Sequence, residues 1–264
     1  MTKLKVRSPF DAPVYHEETV TSTMDVSRSL SDSGEPHGTV ITADFQEAGR
    51  GRGQDRSWQM NRFENLPFTV LLRYPRIEDI PSALTLRVGL AVSLAIEDFA
   101  PSLRGKVKVK WPNDIMIDVN DTKIESKKAA GILCEAAGGT VHIGVGINVA
   151  QRELPVHLRE KAISIALAAD RDIAPEERFV LLEKILVRLF DELNAPQNIT
   201  DWKARLEQRL YKKDEQVVFV EGEADSGREV SGRLAGIGDG GEVFILAEGE
   251  KQPRSFVTGE LKFL

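Results

Sequence analysis

The order of apolar and polar positions along the chain predicts strands and helices mixed together. Residues 14–20 read as a strand. Ser22-Thr23-Met24-Asp25 follows, and a helix over about 24–33 stops at Gly34. Residues 40–45 form a strand that runs into Gly49-Arg50-Gly51-Arg52-Gly53, and residues 66–72 form a second strong strand with Pro67 near its start. Over 81–99, Leu84, Val88, Leu90, Ala91, Leu94 and Ala95 recur at helical spacing, which predicts a buried helix. Residues 106–111 (KVKVKW) alternate strictly, as a half-exposed strand does. Three more strands are expected at 115–119, 131–136 and 141–149. Helices are expected over 154–169, over 176–193 after Pro175, and over roughly 200–210.

After Lys213 the pattern changes. Short apolar runs at 216–220, 228–234, 242–246 and 254–257 are separated by glycine-rich turns, and nine of the 21 glycines lie in the last 51 residues. That punctuation predicts a small all-β barrel. The break near 211–215 divides the chain into residues 1–212 and 213–264. Charge divides it in the same place. Residues 214–264 carry 11 acidic and 5 basic side chains, while the rest carries 30 of each, so the whole net charge of −6 lies in the tail. A chain of this balance does not attract polyanions as a whole.

Composition narrows the class further. Over 264 residues, 41% hydrophobic and 29% charged side chains exclude a wholly disordered chain. No apolar run is seen to approach the roughly 18 residues that span a bilayer. The first residues, MTKLKVRSPF, lack the apolar core of a secretory signal. Cys134 stands alone and can form no internal disulfide, so a reducing cytoplasm is the expected location.

Four segments carry candidate chemistry. The first is residues 46–58 (QEAGRGRGQDRSW), where three glycines alternate with two arginines after a strand. Glycines let backbone N–H groups approach a ligand, and arginines bring planar cationic donors suited to phosphate and carboxylate. A flexible solvated loop is the plain alternative. The second, Lys110-Trp111-Pro112-Asn113-Asp114, reads on its own as a strand end with an anchoring Trp111. The third is Lys127-Lys128-Ala129-Ala130-Gly131-Ile132-Leu133. It is either a solvated edge or a lysine brought to a pocket whose small neighbours leave room for a ligand. The fourth, Gly144-Val145-Gly146-Ile147-Asn148-Val149, is either a bulged strand or one whose backbone something packs closely against.

Other signals fall away. Gly236, Gly238 and Gly241 spell G-x-G-x-x-G but precede a strand, so they read as a hairpin turn. His16, His37, His142 and His157 lack metal-ligand spacing, and Cys134 reads as a small hydrophobe within a strand.

Taken in order, the Ser-Thr pair, Q-x-A-G-R-G-R with R-x-W, K-W-P-N-D, K-x-A-G-I-L and G-x-G-I-N resemble the biotin protein ligases, also called biotin–[acetyl-CoA-carboxylase] ligases. The resemblance runs from about residue 14 to 150 and more loosely to the end. It implies an α+β fold. A class II synthetase-like catalytic domain, a mixed β-sheet with helices packed on one side, is followed by an SH3-like β-barrel. It also implies a two-step reaction. Biotin and MgATP give biotinyl-5′-AMP and pyrophosphate, and the biotinyl group then passes to one lysine of a carboxyl-carrier protein.

The resemblance places Ser22 and Thr23 at the biotin end and Gln46 at the ureido ring. Arg50 and Arg52, with Gly49 and Gly51, belong to a loop that closes over the adenylate. Arg56 and Trp58 hold phosphate and adenine, while Lys110 and Asn113 lie at the nucleotide end. Lys128 bridges the biotin carboxylate and the phosphate and is the foremost catalytic candidate, with Arg50 and Arg52 beside it. Gly131, Ile132 and Gly144 line the path of the biotin side chain, and Asn148 contacts the adenylate. No protein metal ligands are assigned; Mg²⁺ arrives with ATP. The expected partner is the carrier domain of a biotin-dependent carboxylase, with no DNA and no membrane, and a homodimer is possible. The short stretch before residue 14 leads us to expect no helix-turn-helix and no repressor activity.

The sequence departs from the family pattern in several places. Met24 stands where Asn is common, and Phe63 where Gly is frequent. The Arg52–Arg56 spacing is one residue longer, and the connection from Asp114 to Lys128 is enlarged around Asn120-Asp121. Two rival readings are a lipoate ligase and a non-catalytic sensor of biotin or its adenylate.

Overall fold

The computed structural model describes residues 1–53, 57–119, 125–194, 201–222 and 227–262. Its elements run in the order β1 (Thr2–Lys3), β2 (Val14–Glu17), α1 (Thr23–Asp32), β3 (Val40–Ala43), β4 (Asn65–Arg73) and α2 (Leu84–Phe99). Then come β5 (Val107–Lys110), β6 (Asp114–Asp118), β7 (Ser126–Ala137), β8 (Thr140–Asn148), α3 (Ile165–Ala168), α4 (Glu177–Asn194) and α5 (Trp202–Glu207). The chain closes with β9 (Gln216–Glu221), β10 (Arg228–Ile237), β11 (Val243–Ala247), β12 (Arg254–Phe256) and β13 (Gly259–Leu261).

The first eight strands form one sheet in the order β1-β2-β3-β4-β8-β7-β6-β5. Only β2 and β3 run parallel, so the sheet is mixed, as expected. Its centre is the long β4–β8 ladder, which sets Asn65 opposite Asn148 and Thr69 opposite Gly144. The β5 edge is covered by the segment after α5: Val109 N–H donates to Arg209 O at 2.8 Å, and Tyr211 N–H donates to Val109 O at 2.9 Å. Covering the edge removes a template for strand addition.

The sheet has a core face and a site face. In β7 and β8, successive side chains point to opposite faces. A methyl built on Gly89 of α2 would meet Val109, Ile115 and Ile132, so α2 lies on the Ile132 face, with α4 packed against it. A methyl built on Gly144, which pairs with Leu133, would meet Met24 of α1. Helix α1 therefore covers the other face, which corrects the expectation that the helices pack on one side.

Three further expectations change. Residues 154–169 do not make one helix. A short 3-10 turn spans Val156–Leu158, the chain then runs extended past Ala162 beside Lys128, and only Ile165–Ala168 is α-helical. Backbone pairing to β7 wins there: Lys128 N–H donates to Lys161 O, and Ile163 N–H donates to Lys128 O, both at 2.9 Å. The alternation of 106–111 does not leave all three lysines half-exposed, because Lys110 is only 1% exposed. The 23-residue stretch Ile77–Phe99 is long and apolar enough in composition to cross a bilayer. Its helical part is nevertheless largely buried between the sheet and α4, as a core helix is. Strands β1 and β13 had no clear sequence signal.

The last five strands form a second antiparallel sheet in the order β12-β11-β10-β9-β13. Among the described residues no pairing joins β12 to β13, so the pairings themselves define an open sheet. The glycine string at 236–241 forms the turn between β10 and β11, as read from the sequence. This sheet shares one hydrophobic core with the first. Trp111 packs on Phe219, with ring centroids 5.7 Å apart, and its indole N–H donates to Gly241 O at 2.9 Å. The turn around Asn120-Asp121 lies outside the described residues.

Candidate active site

The site begins where α1 starts. Ser22 caps the helix, its hydroxyl accepting from the Met24 N–H at 3.2 Å. Thr23 donates twice to Gln46 Oε1, from its backbone N–H at 2.8 Å and its hydroxyl at 3.0 Å. The Thr23 hydroxyl in turn accepts from Thr69 at 2.9 Å. With Oε1 doubly occupied, Gln46 has its amide N–H groups left to offer a ligand.

The Gly-Arg segment leaves β3 as a narrow loop. Trp58 N–H donates to Gly49 O at 2.8 Å, and Arg50 pairs with Ser57. Both arginines are tied to anionic or carbonyl oxygen. Arg50 bonds the Asp25 carboxylate of α1, which also holds Arg28 at 2.6 Å. Arg52 donates to Gly259 O of β13 at 2.6 Å and lies 3.9 Å from Glu260. The loop therefore bridges α1 and the C-terminal sheet.

Lys128 reaches the site through an irregularity in β7. Ile115 pairs with Ala130 and Met116 with Lys128, which leaves Ala129 as an extra residue, a β-bulge. A bulge re-aims the side chains on one side of it. Lys128 and Gly131 thereby share a face, and a methyl built on Gly131 would lie 3.4 Å from Lys128 Nζ. Lys127 points elsewhere, donating to Arg159 O at 2.8 Å. Lys128 Nζ stands 2.6 Å from Asp114 Oδ1 of β6. Next to it Asn113 is fixed against β7, its amide donating to Ile132 O at 2.8 Å.

The floor is made of glycine. A methyl on Gly146 would lie 2.7 Å from the Trp58 ring, and one on Gly144 would lie 2.7 Å from Met24 Sδ. Ser22, Thr23, Gln46, Arg50, Gly51, Arg52, Trp58, Asn113, Lys128, Gly131, Ile132 and Gly144 line one cavity, Met24 with them. Gln46 and Trp58 also border a second cavity of about 400 Å³, which includes Gly49, Asn148 and Gln151. Lys110, buried in β5 opposite Asp114, lines neither. Arg56 lies outside the described residues. Among the described residues no cluster of three or more His, Cys, Asp or Glu could hold a metal ion. Cys134 sits on the opposite face of β7 from Leu133, against α2, and burial pushes its thiol up to about 11.

Sequence reasoning did not single out Asp25, Thr69, Asn65 or Gln151. Asp114 was read only as part of a turn. Each serves as a partner to a recognised residue, and partnership across the sheet has no signal in local spacing.

Such a cavity brings the Gln46 and Asn113 amides together with a lysine and two arginines. It suits a polar ring with an acid tail next to a phosphate. The chain belongs to the biotin/lipoate A/B protein ligase family, whose model matches residues 17–150. Among relatives, the bifunctional ligase/repressor BirA of Bacillus subtilis is 34% identical over 185 residues, 66% of this chain but 51% of its own length. The match thus spans about half of that relative. The biotin–[acetyl-CoA-carboxylase] ligase of Mycobacterium tuberculosis is 29% identical over 197 residues, 71% of this chain and 68% of its own. The solved structure of the Aquifex aeolicus biotin protein ligase in complex with biotin and ATP aligns with a TM-score of 0.75 and 27% identity. That alignment covers 94% of this chain and 97% of the other.

Proposed function

We propose that this protein ligates biotin to a lysine of a carboxyl-carrier protein through biotinyl-5′-AMP, consuming ATP. The observation that carries the reading is the single cavity that brings Gln46, Lys128 and the Arg50/Arg52 loop together. The likeness to ligases that act with biotin and ATP supports it.

The chemistry follows from the residues. A carboxylate is a poor acyl donor until it carries a good leaving group. In the first step a carboxylate oxygen of biotin attacks the α-phosphorus of MgATP, a C–O–P linkage forms, and pyrophosphate leaves. Negative charge grows on the phosphoryl oxygens, where Lys128, Arg50 and Arg52 stabilise it. Fixed donors of this kind are each worth about 3–4 kcal/mol in such transition states. In the second step the carrier's ε-amine attacks the acyl carbon and AMP departs. Asn113 and Asp114, beside Lys128, would offer side-chain oxygens to a magnesium ion carried on the nucleotide's phosphates.

The amide end favours biotin over lipoate. Gln46 has N–H groups left for an acceptor, and a ureido carbonyl is one, whereas a dithiolane ring has none. Residues 1–212 form the catalytic unit in this reading. Residues 213–264, which hold Arg52 through Gly259, help close the loop and seat the carrier. Biotin-dependent exchange of pyrophosphate into ATP, followed by transfer to a carrier domain, tests the function. Exchange supported by lipoate instead moves the assignment to that acid. Tight biotin binding without exchange leaves a sensor.

A further inference from the structure

We propose that Asp25 is the positioning residue for Arg50: its carboxylate, set in the first turn of α1, holds the guanidinium at the first cavity, where it retains the biotinyl adenylate. This rests on the adenylating function proposed above.

The argument is one of spacing. The first turn of α1 grips the Gly-Arg segment at two points. Thr23 holds Gln46 Oε1 with its N–H and its hydroxyl, and Asp25, further along the same turn, accepts from Arg50 Nη2. Between the two grips the backbone runs close to its neighbours. A methyl built on Gly49 would lie 2.8 Å from Trp58 O and 3.0 Å from Gln46 Nε2. The place of the Arg50 cation relative to the Gln46 amide is therefore set by α1, and not by the loop alone.

Asp25 is itself held. Its Oδ1 also accepts from Arg28 Nη1 at 2.6 Å, and Arg28 Nη2 bonds the Glu135 carboxylate of β7. Arg50, Asp25, Arg28 and Glu135 thus alternate in sign from the loop, across α1, to the sheet. An isolated surface pair loses much of its gain in ordering two side chains. Here the carboxylate is already fixed by Arg28, so Arg50 meets a prepared partner. The helix N-terminus favours the same negative charge.

The bond does not draw Arg50 out of the site. Paired with Asp25, Arg50 still lines the cavity with Thr23, Gln46 and Lys128. A guanidinium carries several N–H donors, and those not turned to Asp25 remain for phosphoryl oxygens. Removing the carboxylate frees a side chain of high rotamer entropy, and Arg50 then spends less time over the intermediate.

The test is stopped-flow release of added biotinyl-AMP from wild type, Asp25→Asn, Arg50→Met and the double variant, with a thermal melt of each to show the fold intact. Asp25→Asn keeps the size of the side chain and removes its charge. It should release biotinyl-AMP about 3- to 5-fold faster than wild type, the upper range for a partly exposed charged pair. In the Arg50→Met background the same substitution should leave the rate unchanged, because the group that Asp25 acts on is gone. A merely structural role in α1 would speed release equally in both backgrounds, and that result overturns the assignment. So does a wild-type rate from Asp25→Asn. Either leaves the function standing. A wild type that fails to bind biotinyl-AMP overturns the function, and this assignment with it.

Discussion

Lys128 and Asp114 face each other across β7 and β6 with 2.6 Å between Nζ and Oδ1. The pair holds the lysine over the glycine floor, in a place already shaped for a cation and a carboxylate. In the proposed reaction an incoming acid and phosphate replace Asp114 as the partner of Lys128. The lysine then reaches the transition state with little reorganisation, the condition under which a fixed charge contributes most.

Replacing Lys128 by alanine should lower biotinyl-AMP formation by at least about 100-fold, the effect of losing one strong transition-state donor. The fold should survive, because the strand pairing of residue 128 runs through its backbone to Lys161 and Ile163. Asp114 is buried, so the loss of its lysine lowers stability, by less than the roughly 3–5 kcal/mol of a fully buried pair because Lys128 is partly exposed. Exchange kinetics and a thermal melt check the two halves; a fully active variant removes Lys128 from the mechanism.

Gly146→Ala should damage the site from below. The added methyl lies 2.7 Å from a rigid indole, so Trp58 must move. Overpacking of this kind costs about 1–3 kcal/mol. The expected readout is a shift in tryptophan fluorescence with weaker nucleotide and biotin binding. Gly144→Ala should be milder, because its obstacle is the flexible end of Met24. Equal effects at the two positions would contradict the role given to Trp58.

Arg52→Ala removes the bond from the loop to Gly259 O and frees the loop from the C-terminal sheet. Biotinyl-AMP should leave the enzyme faster and hydrolyse in solution, while the first step is less affected. Release measured by rapid quench and filtration decides this. Unchanged release means that the loop does not retain the intermediate. Truncation of 213–264 is a poorer test, since Phe219 packs in the shared core and its loss alone should cost about 3–5 kcal/mol.

The sequence carried most of the strand order, and its motifs named most of the residues that line the first cavity. Alternating and continuous apolar runs mark β3, β4, β7 and β8 because these strands are buried on one or both faces. The glycines of β8 announced a close approach, and the structure fills that space with Met24 and Trp58. What escaped was non-local. The bulge at Ala129 aims Lys128, yet nothing in the alternation of 126–131 marks it. The extended run past Ala162 looks helical in composition, but its backbone groups are claimed by Lys128. Phe63, noted where the family often has glycine, adopts φ 65°, the left-handed region that glycine enters freely.

His142 predicts a pH dependence of stability. It is buried under α1, with Ser27 Oγ at 2.8 Å from Nδ1. Burial first, then Arg28, hold its pKa below the ordinary 6.5, with Arg73 adding to this and Glu135 and Asp32 opposing. The unfolded chain therefore binds the proton more readily. Its stabilising contribution is complete above about pH 6.5 and is lost as pH falls toward the lower folded value. Denaturant unfolding between pH 5 and 8 should show a steeper loss on the acid side for wild type than for His142→Gln. Identical slopes would remove His142 as the cause.

The most direct measurement is a crystal structure with biotin and a non-hydrolysable ATP analogue. The account predicts that Lys128 Nζ leaves Asp114 for the biotin carboxylate and the α-phosphate, with residues 49–53 folded over both. Ligands bound elsewhere, with Lys128 still on Asp114, would contradict it.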